Sequence, residues 1–285
     1  MPEGPEIRRV ADRLGKVLAG RIIEDVWFAF DHLKPFEARL AGQKVTRVDS
    51  WGKALLTCFE DDHVIYSHNQ LYGVWRIMRR DSEPAGKRSP RLRLSTATHS
   101  AWLMSASDIS LWRREELDQH PFLSKLGPDL LTHNVTTDDI VARLQSPRFM
   151  RRRLGALLLD QHFYAGIGNY LRSEILFFAG LHERYRPMDL DRAQCRRLAE
   201  QILQVTARAW RHAGVTNLRA WRDPMIAAGE PRGRWRHAVF NRATEPCHTC
   251  GTPIERIIVA SRRLYLCPHC QQDMTPSQVY ARQEQ

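Results

Sequence analysis

No stretch of the chain approaches the ~20 consecutive apolar residues that a membrane-spanning helix requires, so a membrane protein is excluded. The start, Met1-Pro2-Glu3-Gly4-Pro5-Glu6, is acidic and has no apolar run behind a basic segment, which argues against a secretory signal and makes the cytosol the expected compartment. Internal repeats and extended low-complexity tracts are missing as well. Cysteine is scarce: there are six, and four of them fall in two tight pairs, leaving Cys58 and Cys195 to be read as buried, inert thiols. Lysine is scarcer than it looks, because 37 of the 43 basic residues are arginine. Arginine is planar and always charged, and it suits bidentate phosphate contacts better than lysine does.

What remains is an ordinary globular composition, 43% hydrophobic and 26% charged, in a chain long enough for more than one core. The formal charge of +11 is unevenly placed. Residues 1 to 120 carry 19 basic and 17 acidic side chains, whereas residues 121 to 285 carry 24 and 15, a net +9. A polyanion partner for the second half follows, although a basic surface alone has the same signature.

Short apolar runs fill the first part: Ile22–Phe30, Val45–Val48, Ala54–Phe59, Val64–Ser67, Gly73–Met78, Arg91–Thr96 and Ala101–Ser105. They read as strands of a β-sandwich, preceded by one helix in which Ile7, Val10, Ala11, Leu14, Val17 and Leu18 recur until Gly20 stops the pattern. After about residue 120 the period becomes helical. Thr136-Thr137-Asp138-Asp139 caps a helix through Leu144; a helix ends near Phe163; Gly166-Ile167-Gly168-Asn169 makes a tight turn into a helix from Tyr170 through Phe178; another spans about Ala193 to Ala213. Residues 214 to 236 lose periodicity and read as a mobile loop. The division expected is a β-sandwich over 1–122, a helical domain over 123–236, a four-cysteine module over 237–271 and a polar tail over 272–285. The fold class is multidomain α+β.

Cys247-His248-Thr249-Cys250 and Cys267-Pro268-His269-Cys270 have the spacing of a structural four-cysteine zinc site, and one Zn²⁺ is the expected cofactor. A disulfide or redox couple is disfavoured in a reducing compartment. The intervening residues are long enough for strands at about Ile254–Val259 and Leu264–Leu266, with Ala260-Ser261-Arg262-Arg263 as a basic tip that could meet a phosphate backbone. The turn at Asn169 places main-chain N–H groups and a side-chain amide at a helix N-terminus, a ready anion site, though a tight helix-to-helix turn can look the same. Removal of Met1 would expose Pro2, whose secondary amine can attack the C1′ carbon of a damaged nucleotide and form a cationic iminium. Glu3 beside it could protonate the sugar ring oxygen or shuttle protons. An ordinary chain terminus would also begin this way.

In combination these motifs resemble the bacterial formamidopyrimidine-DNA glycosylase and endonuclease VIII family, and within it the endonuclease VIII branch. The resemblance lies in Met1–Arg9 with Gly4 where the oxidised-purine branch typically has Leu, in Gly52-Lys53-Ala54-Leu55-Leu56, in Tyr66–Trp75, in Leu157–Gln161 followed by Gly166–Tyr170, and in the cysteine module. It covers most of residues 1 to 271 and is weakest over 184–236. It implies a β-sandwich, a helix–two-turn–helix domain and a zinc finger. It also implies a bifunctional DNA glycosylase and abasic-site lyase of base excision repair that excises oxidised pyrimidines and cuts by β,δ-elimination.

Carried over residue by residue, the resemblance makes Pro2 the Schiff-base nucleophile and Glu3 the general acid and base. It makes Lys53 a proton donor in β-elimination that also contacts phosphate. Arg262, five residues before Cys267, becomes the catalytic zinc-finger arginine that assists δ-elimination and grips the lesion phosphate, with Arg263 able to share its role. Gln70, Leu71 and Tyr72 become the residues that fill the hole left by the flipped base, and Asn169 a DNA-binding residue. At Lys125 the family's DNA-contacting arginine is replaced, keeping the charge without the bidentate fork. The partner implied is double-stranded DNA with oxidised bases or abasic sites, met by a monomer. Two other readings stand beside this one: an oxidised-purine glycosylase, against which Gly4 and the Gln70-Leu71-Tyr72 triplet speak, and a zinc-dependent lesion-binding protein without chemistry, against which Pro2, Glu3 and Lys53 speak together.

Overall fold

The computed structural model describes residues 2–273. The chain forms two compact units, one running through Leu126 and the other beginning at Gly127.

The first unit starts with α1 (Gly4–Leu18), whose Ile7, Ala11, Leu14 and Leu18 sit on one face and are buried. Each such side chain contributes about 1.5–3 kcal/mol by leaving water. The helix ends where Gly20 takes a left-handed φ of +75°. Strands β1 (Asp25–Phe28), β2 (Val45–Trp51), β3 (Ala54–Phe59), β4 (His63–His68), β5 (Val74–Arg79), β6 (Pro90–Ser95), β7 (His99–Met104) and β8 (Asp108–Arg113) follow, with a one-turn α2 (Glu37–Leu40) between β1 and β2. They make two four-stranded antiparallel sheets, β1-β6-β7-β5 and β2-β3-β4-β8, as expected of a sandwich. Strands β3 and β4 are buried along nearly their whole length. One face supplies Leu55, Phe59 and Ile65 to the main core. The other packs Leu56, Cys58, Val64 and Tyr66 against Leu123, with Leu117, Phe122 and Leu126 alongside, so residues 114–126 fold back on the sandwich. Cys58 is the buried thiol its sequence context suggested.

The periodicity missed β8. Asp108-Ile109-Ser110-Leu111-Trp112-Arg113 alternates, but it lies at the edge of its sheet, where only Ile109 is buried, so its apolar signal is thin.

The second unit holds α3 (Thr137–Gln145), α4 (Leu154–Leu157), α5 (Asn169–Ala179), α6 (Arg192–Arg211), α7 (Arg219–Ala227) and α8 (Arg232–Trp235), then the hairpin β9 (Glu255–Val259) and β10 (Arg262–Leu266). Thr136 caps α3, its hydroxyl accepting from the Asp139 N–H at 3.2 Å. Asp191 does the same for α6 through the Gln194 N–H at 2.7 Å. Leu264 and Leu266 of β10 enter the helical core beside Leu157, Leu171 and Ile175, so the hairpin and the helices share apolar packing. Cys195 is buried.

Three expectations change here. The helix placed up to Phe163 stops at Leu157, because side chains claim the backbone beyond it. Gln161 Nε2 donates to the Leu159 and Ile167 carbonyls, each at 2.9 Å, and Arg143 donates to the His162 and Phe163 carbonyls. Residues 214–236 are not a loop but carry α7 and α8, pinned where the Thr216 and Asn217 N–H groups both donate to the Arg236 carbonyl. Neither helix buries a residue fully, and Pro224 inside α7 with Gly229, Pro231 and Gly233 after it are the residues that usually mark loops. Finally, Arg262 and Arg263 belong to β10, and the hairpin tip is only Ala260-Ser261. Of the polar tail, residues 274–285 lie outside the described residues.

Candidate active site

Two anchors fix the direction of α1 on the sandwich. Near its C-terminus the Gly20 N–H donates to the Val45 carbonyl at 2.8 Å. Near its N-terminus the Arg8 guanidinium donates to Asp49 Oδ1 at 2.8 Å. Since Val45 begins β2 and Asp49 lies near its end, α1 runs antiparallel to β2, and its first residues sit toward the Gly52-Lys53 turn that joins β2 to β3. Pro2 is half-buried and Glu3, the residue preceding α1, is 4% exposed. The Glu3 N–H donates to Glu6 Oε2 at 3.1 Å and the Glu3 carbonyl accepts from the Glu6 and Ile7 N–H groups, so the backbone bearing the candidate nucleophile is held in place. Gly52 has a φ of +60°, the conformation a two-residue hairpin turn demands, and it leaves Lys53 half-buried beside it.

At the same end of that sheet, Ala54 pairs with His68 and His68 with Asp108. Burial holds the His68 imidazole below its ordinary pKa, with Asp108 opposing and Lys53 reinforcing the shift. A neutral His68 Nδ1 can then accept the Gln70 N–H, 3.2 Å away. The loop from Asn69 to Gly73 therefore leaves β4 under restraint. Gln70 adopts a φ of +49° and its Oε1 accepts from Ser107 Oγ at 2.8 Å. The Gly73 N–H donates to the Asn69 carbonyl at 2.7 Å, and a Cβ on Gly73 would lie 2.5 Å from that same oxygen, so only glycine fits. Arg88 donates to the Tyr72 carbonyl. These bonds leave Leu71 and Tyr72 projecting, 66% and 69% exposed. The triplet forms the turn between β4 and β5 with its side chains turned outward rather than half-buried. Lys125, also in this unit, is exposed at the end of a short 3₁₀ turn.

In the second unit, Asn169 opens α5 and its Nδ2 donates to the Arg263 carbonyl at 2.7 Å. The amide keeps a second N–H. Its Oδ1 accepts from Arg172 Nη2 at 2.7 Å, and Arg172, 0% exposed, donates further to the Gly155 and Val259 carbonyls. One buried guanidinium thus ties the helical turn to the β9–β10 hairpin. Arg262 and Arg263 are exposed at the start of β10 and point to opposite faces of the strand. Ala260 and Ser261 make the hairpin tip with φ of +51° and +60°, a strained choice for residues with a side chain.

The four cysteines Cys247, Cys250, Cys267 and Cys270 converge, with all sulfurs within 4.8 Å of one another. The Cys247–Cys270 separation is 3.9 Å and the Cys250–Cys267 and Cys250–Cys270 separations are 3.5 Å. Tetrahedral zinc with bonds of about 2.3 Å requires roughly 3.8 Å between sulfurs, whereas a disulfide requires about 2.0 Å. Thr249 and Cys270 also turn their N–H groups toward Cys247 and Cys267 sulfurs at 3.4 Å, which suits thiolates. The donor set fits one structural zinc ion.

Sequence reasoning missed Arg172 and Glu174. Glu174 is 0% exposed and accepts from the N–H groups of Ala238, Val239 and Phe240 and from Thr216 Oγ1. It fastens the segment leading to the cysteines onto α5. The only signal was two charged residues in an otherwise mostly apolar helical run, Tyr170 through Phe178.

Three family models match the chain: the formamidopyrimidine-DNA glycosylase N-terminal domain over residues 1–108, the formamidopyrimidine-DNA glycosylase H2TH domain over 126–219, and the zinc finger found in FPG and IleRS over 245–272. Endonuclease 8 of Salmonella arizonae is 46% identical over 271 residues, covering 95% of this chain and all of that protein. Endonuclease 8 of Escherichia coli K12 is 45% identical over the same span and shares. Among solved structures, the Lactococcus lactis formamidopyrimidine-DNA glycosylase bound to DNA containing an AP site superimposes with a TM-score of 0.76 at 21% identity, covering 95% of this chain and all of that one. The same protein in complex with an N7-benzyl-Fapy-dG DNA gives 0.77 at 22%, with the same coverage. The fold is thus a three-part DNA glycosylase fold: β-sandwich, H2TH helices and zinc finger. The chain belongs to the formamidopyrimidine-DNA glycosylase/endonuclease 8 family.

Proposed function

We propose that this protein is a bifunctional DNA glycosylase and abasic-site lyase of base excision repair, acting on oxidised pyrimidines in double-stranded DNA. The observation that carries the reading is the start of α1: a Pro2-Glu3 pair, backbone-anchored and directed toward Lys53. Once Met1 is removed, the Pro2 nitrogen lone pair attacks C1′. The glycosidic C–N bond breaks and its electrons leave with the base, which takes up a proton. Glu3 supplies a proton to the ring oxygen as the sugar opens to an iminium. Loss of a C2′ proton expels the 3′ phosphate, loss of a C4′ proton expels the 5′ phosphate, and water hydrolyses the imine to release Pro2. Lys53 donates a proton during elimination and meets a phosphate oxygen. Leu71 and Tyr72, with Gln70, fill the space of the flipped nucleotide. Asn169, Arg262, Arg263 and Lys125 hold the backbone. Zinc, held by the four cysteines, supplies no chemistry to the reaction and keeps the β9–β10 hairpin folded. Labour is divided among a catalytic part through about residue 122, the H2TH part to about 236 and the zinc finger to 271, all within one monomer in the cytosol.

The test is borohydride trapping on a duplex containing thymine glycol, beside a matched 8-oxoguanine duplex. A covalent adduct mapping to Pro2, faster with thymine glycol, and lost when a residue inserted before Pro2 leaves it as an amide, is the expected result. No adduct from protein that lacks Met1 and binds the duplex would leave a lesion-binding protein without chemistry. Preference for 8-oxoguanine would move the substrate to oxidised purines.

A further inference from the structure

Strand β5 lies at the edge of its sheet, hydrogen-bonded to β7 on one side only. Between it and α1 runs a groove of about 570 Å³, floored by Val10, Leu14 and Val17 of the helix and by Trp75 and Ile77 of the strand. That volume is in the range of built binding sites. Among the described residues, three cations line it, Arg13, Lys16 and Arg76, and no carboxylate does. Arg13 and Lys16 are exposed, and among the described residues neither makes an ion pair. An unpaired strand edge, an apolar floor and a rim of one charge are three independent requirements of one kind of occupant.

We propose that this groove is a docking site for an acidic, extended peptide segment of another protein, which adds to the edge of β5 as an antiparallel or parallel strand. Main-chain hydrogen bonds to β5 supply affinity, alternate apolar side chains enter the groove between Val10, Leu14 and Trp75, and the intervening carboxylates meet Arg13 and Lys16. A DNA backbone could satisfy the cations but has no use for the apolar floor or the strand edge. The site involves none of the residues assigned to chemistry.

The probe is a fluorescein-labelled peptide alternating Asp or Glu with Leu and Phe over eight residues, titrated by anisotropy against the full-length protein, with a Lys-for-Asp peptide of the same pattern as control. Binding should saturate, the basic control should be at least ten-fold weaker, and the R13E/K16E double variant should lose at least ten-fold while its melting temperature is unchanged. N-methylation of alternate peptide nitrogens should lower affinity in one register and not in the other, which distinguishes strand addition from charge attraction alone. Amide shift perturbation in labelled protein should centre on residues 10–17 and 74–78. No saturable binding, equal binding of the basic peptide, or an R13E/K16E variant that weakens undamaged duplex binding but not peptide binding would overturn the proposal; the last outcome would assign the rim to DNA.

Discussion

Both units have large apolar cores, but they mount their candidate site residues differently, and the difference decides how each would fail. In the first, Pro2, Glu3 and Lys53 ride on a sandwich whose main cluster is apolar, with Leu14, Phe28, Leu55, Phe59 and Leu103 among its members, and whose other buried polar side chains are mostly hydroxyls. In the second, Asn169, Arg262 and Arg263, the residues proposed to face phosphate, hang on buried charge. Arg172 and Glu174 are adjacent-but-one on α5, both 0% exposed, and each satisfies several backbone groups that lie far away in sequence. Apolar cores degrade gradually because a lost methylene costs about 1 kcal/mol. Buried polar networks degrade abruptly because the orphaned partners remain.

The largest effect expected is chemical and belongs to the first unit. Glu3→Gln keeps the shape of a 4%-exposed side chain and should slow single-turnover base release by about 10²–10⁴-fold, with melting temperature and duplex affinity unchanged. Base release at the parent rate would remove Glu3 from the chemistry. Next in size is loss of zinc. Elemental analysis should find one zinc per chain, and its removal by a chelator should raise amide hydrogen exchange across β9, β10 and residues 236–250 while strands β1 to β8 stay protected. Equal loss of protection in both units would break the comparison, since it would mean that the sandwich also leans on the metal.

Arg172→Met sharpens it further. Removing a charged donor while leaving the Gly155, Val259 and Asn169 acceptors buried should cost about 3 kcal/mol and should also weaken duplex binding, because Asn169 and the Arg263 carbonyl lose their brace. Leu14→Ala in α1 should cost a similar amount, about 2–5 kcal/mol, without changing duplex affinity. Equal effects of the two substitutions on binding would deny Arg172 a positioning role.

Acid should act on the second unit through His237. Burial, with Arg236 and Arg232 nearby, pushes its pKa down to about 3 from an ordinary 6.5. It lies against the rings of Tyr170 and Phe240, and because Thr216 Oγ1 donates to Glu174, that oxygen accepts from His237 Nδ1 at 2.9 Å. The unfolded chain binds this proton first as pH falls. The stability it contributes is therefore full above about 6.5, declines below that, and is gone near 3. Denaturant melts of the parent and His237→Asn between pH 7 and 4 check this: the parent should lose more stability over that range, and parallel curves would show that His237 is not the group responsible.

What the sequence disclosed follows the same division. The sandwich was legible as alternation, except for β8, whose edge position leaves one buried residue; the cysteines were legible as spacing. The proposed role of Pro2 and Glu3 was legible only in combination, because two residues at a terminus carry no pattern of their own. What could not be read was whatever depends on a side chain meeting backbone far along the chain. Gln161 and Arg143 cut α4 short, and Glu174 secures residues 238–240. Neither composition nor periodicity records such a partner. Residues 214–236 hid two helices for a related reason: α7 reaches the core only through half-buried Trp221, stacked on Phe178 and His248, partners far along the chain.

Lys125 carries the smallest prediction, and it is the one that tests charge without shape. The side chain is exposed and lies in the first unit, so its replacement should disturb no packing. An ammonium makes a point contact with a phosphate, whereas a guanidinium makes two parallel hydrogen bonds at the same net charge. Counterion release depends on the number of phosphates neutralised, so Lys125→Arg should leave the slope of log affinity against log salt unchanged. It should nonetheless raise duplex affinity by about two- to five-fold at each salt concentration, the worth of one improved charged hydrogen bond at a wet surface. Identical affinity at every salt concentration would mean that the lysine already makes all the contact that position allows, and a changed slope would mean that the arginine had recruited a second phosphate.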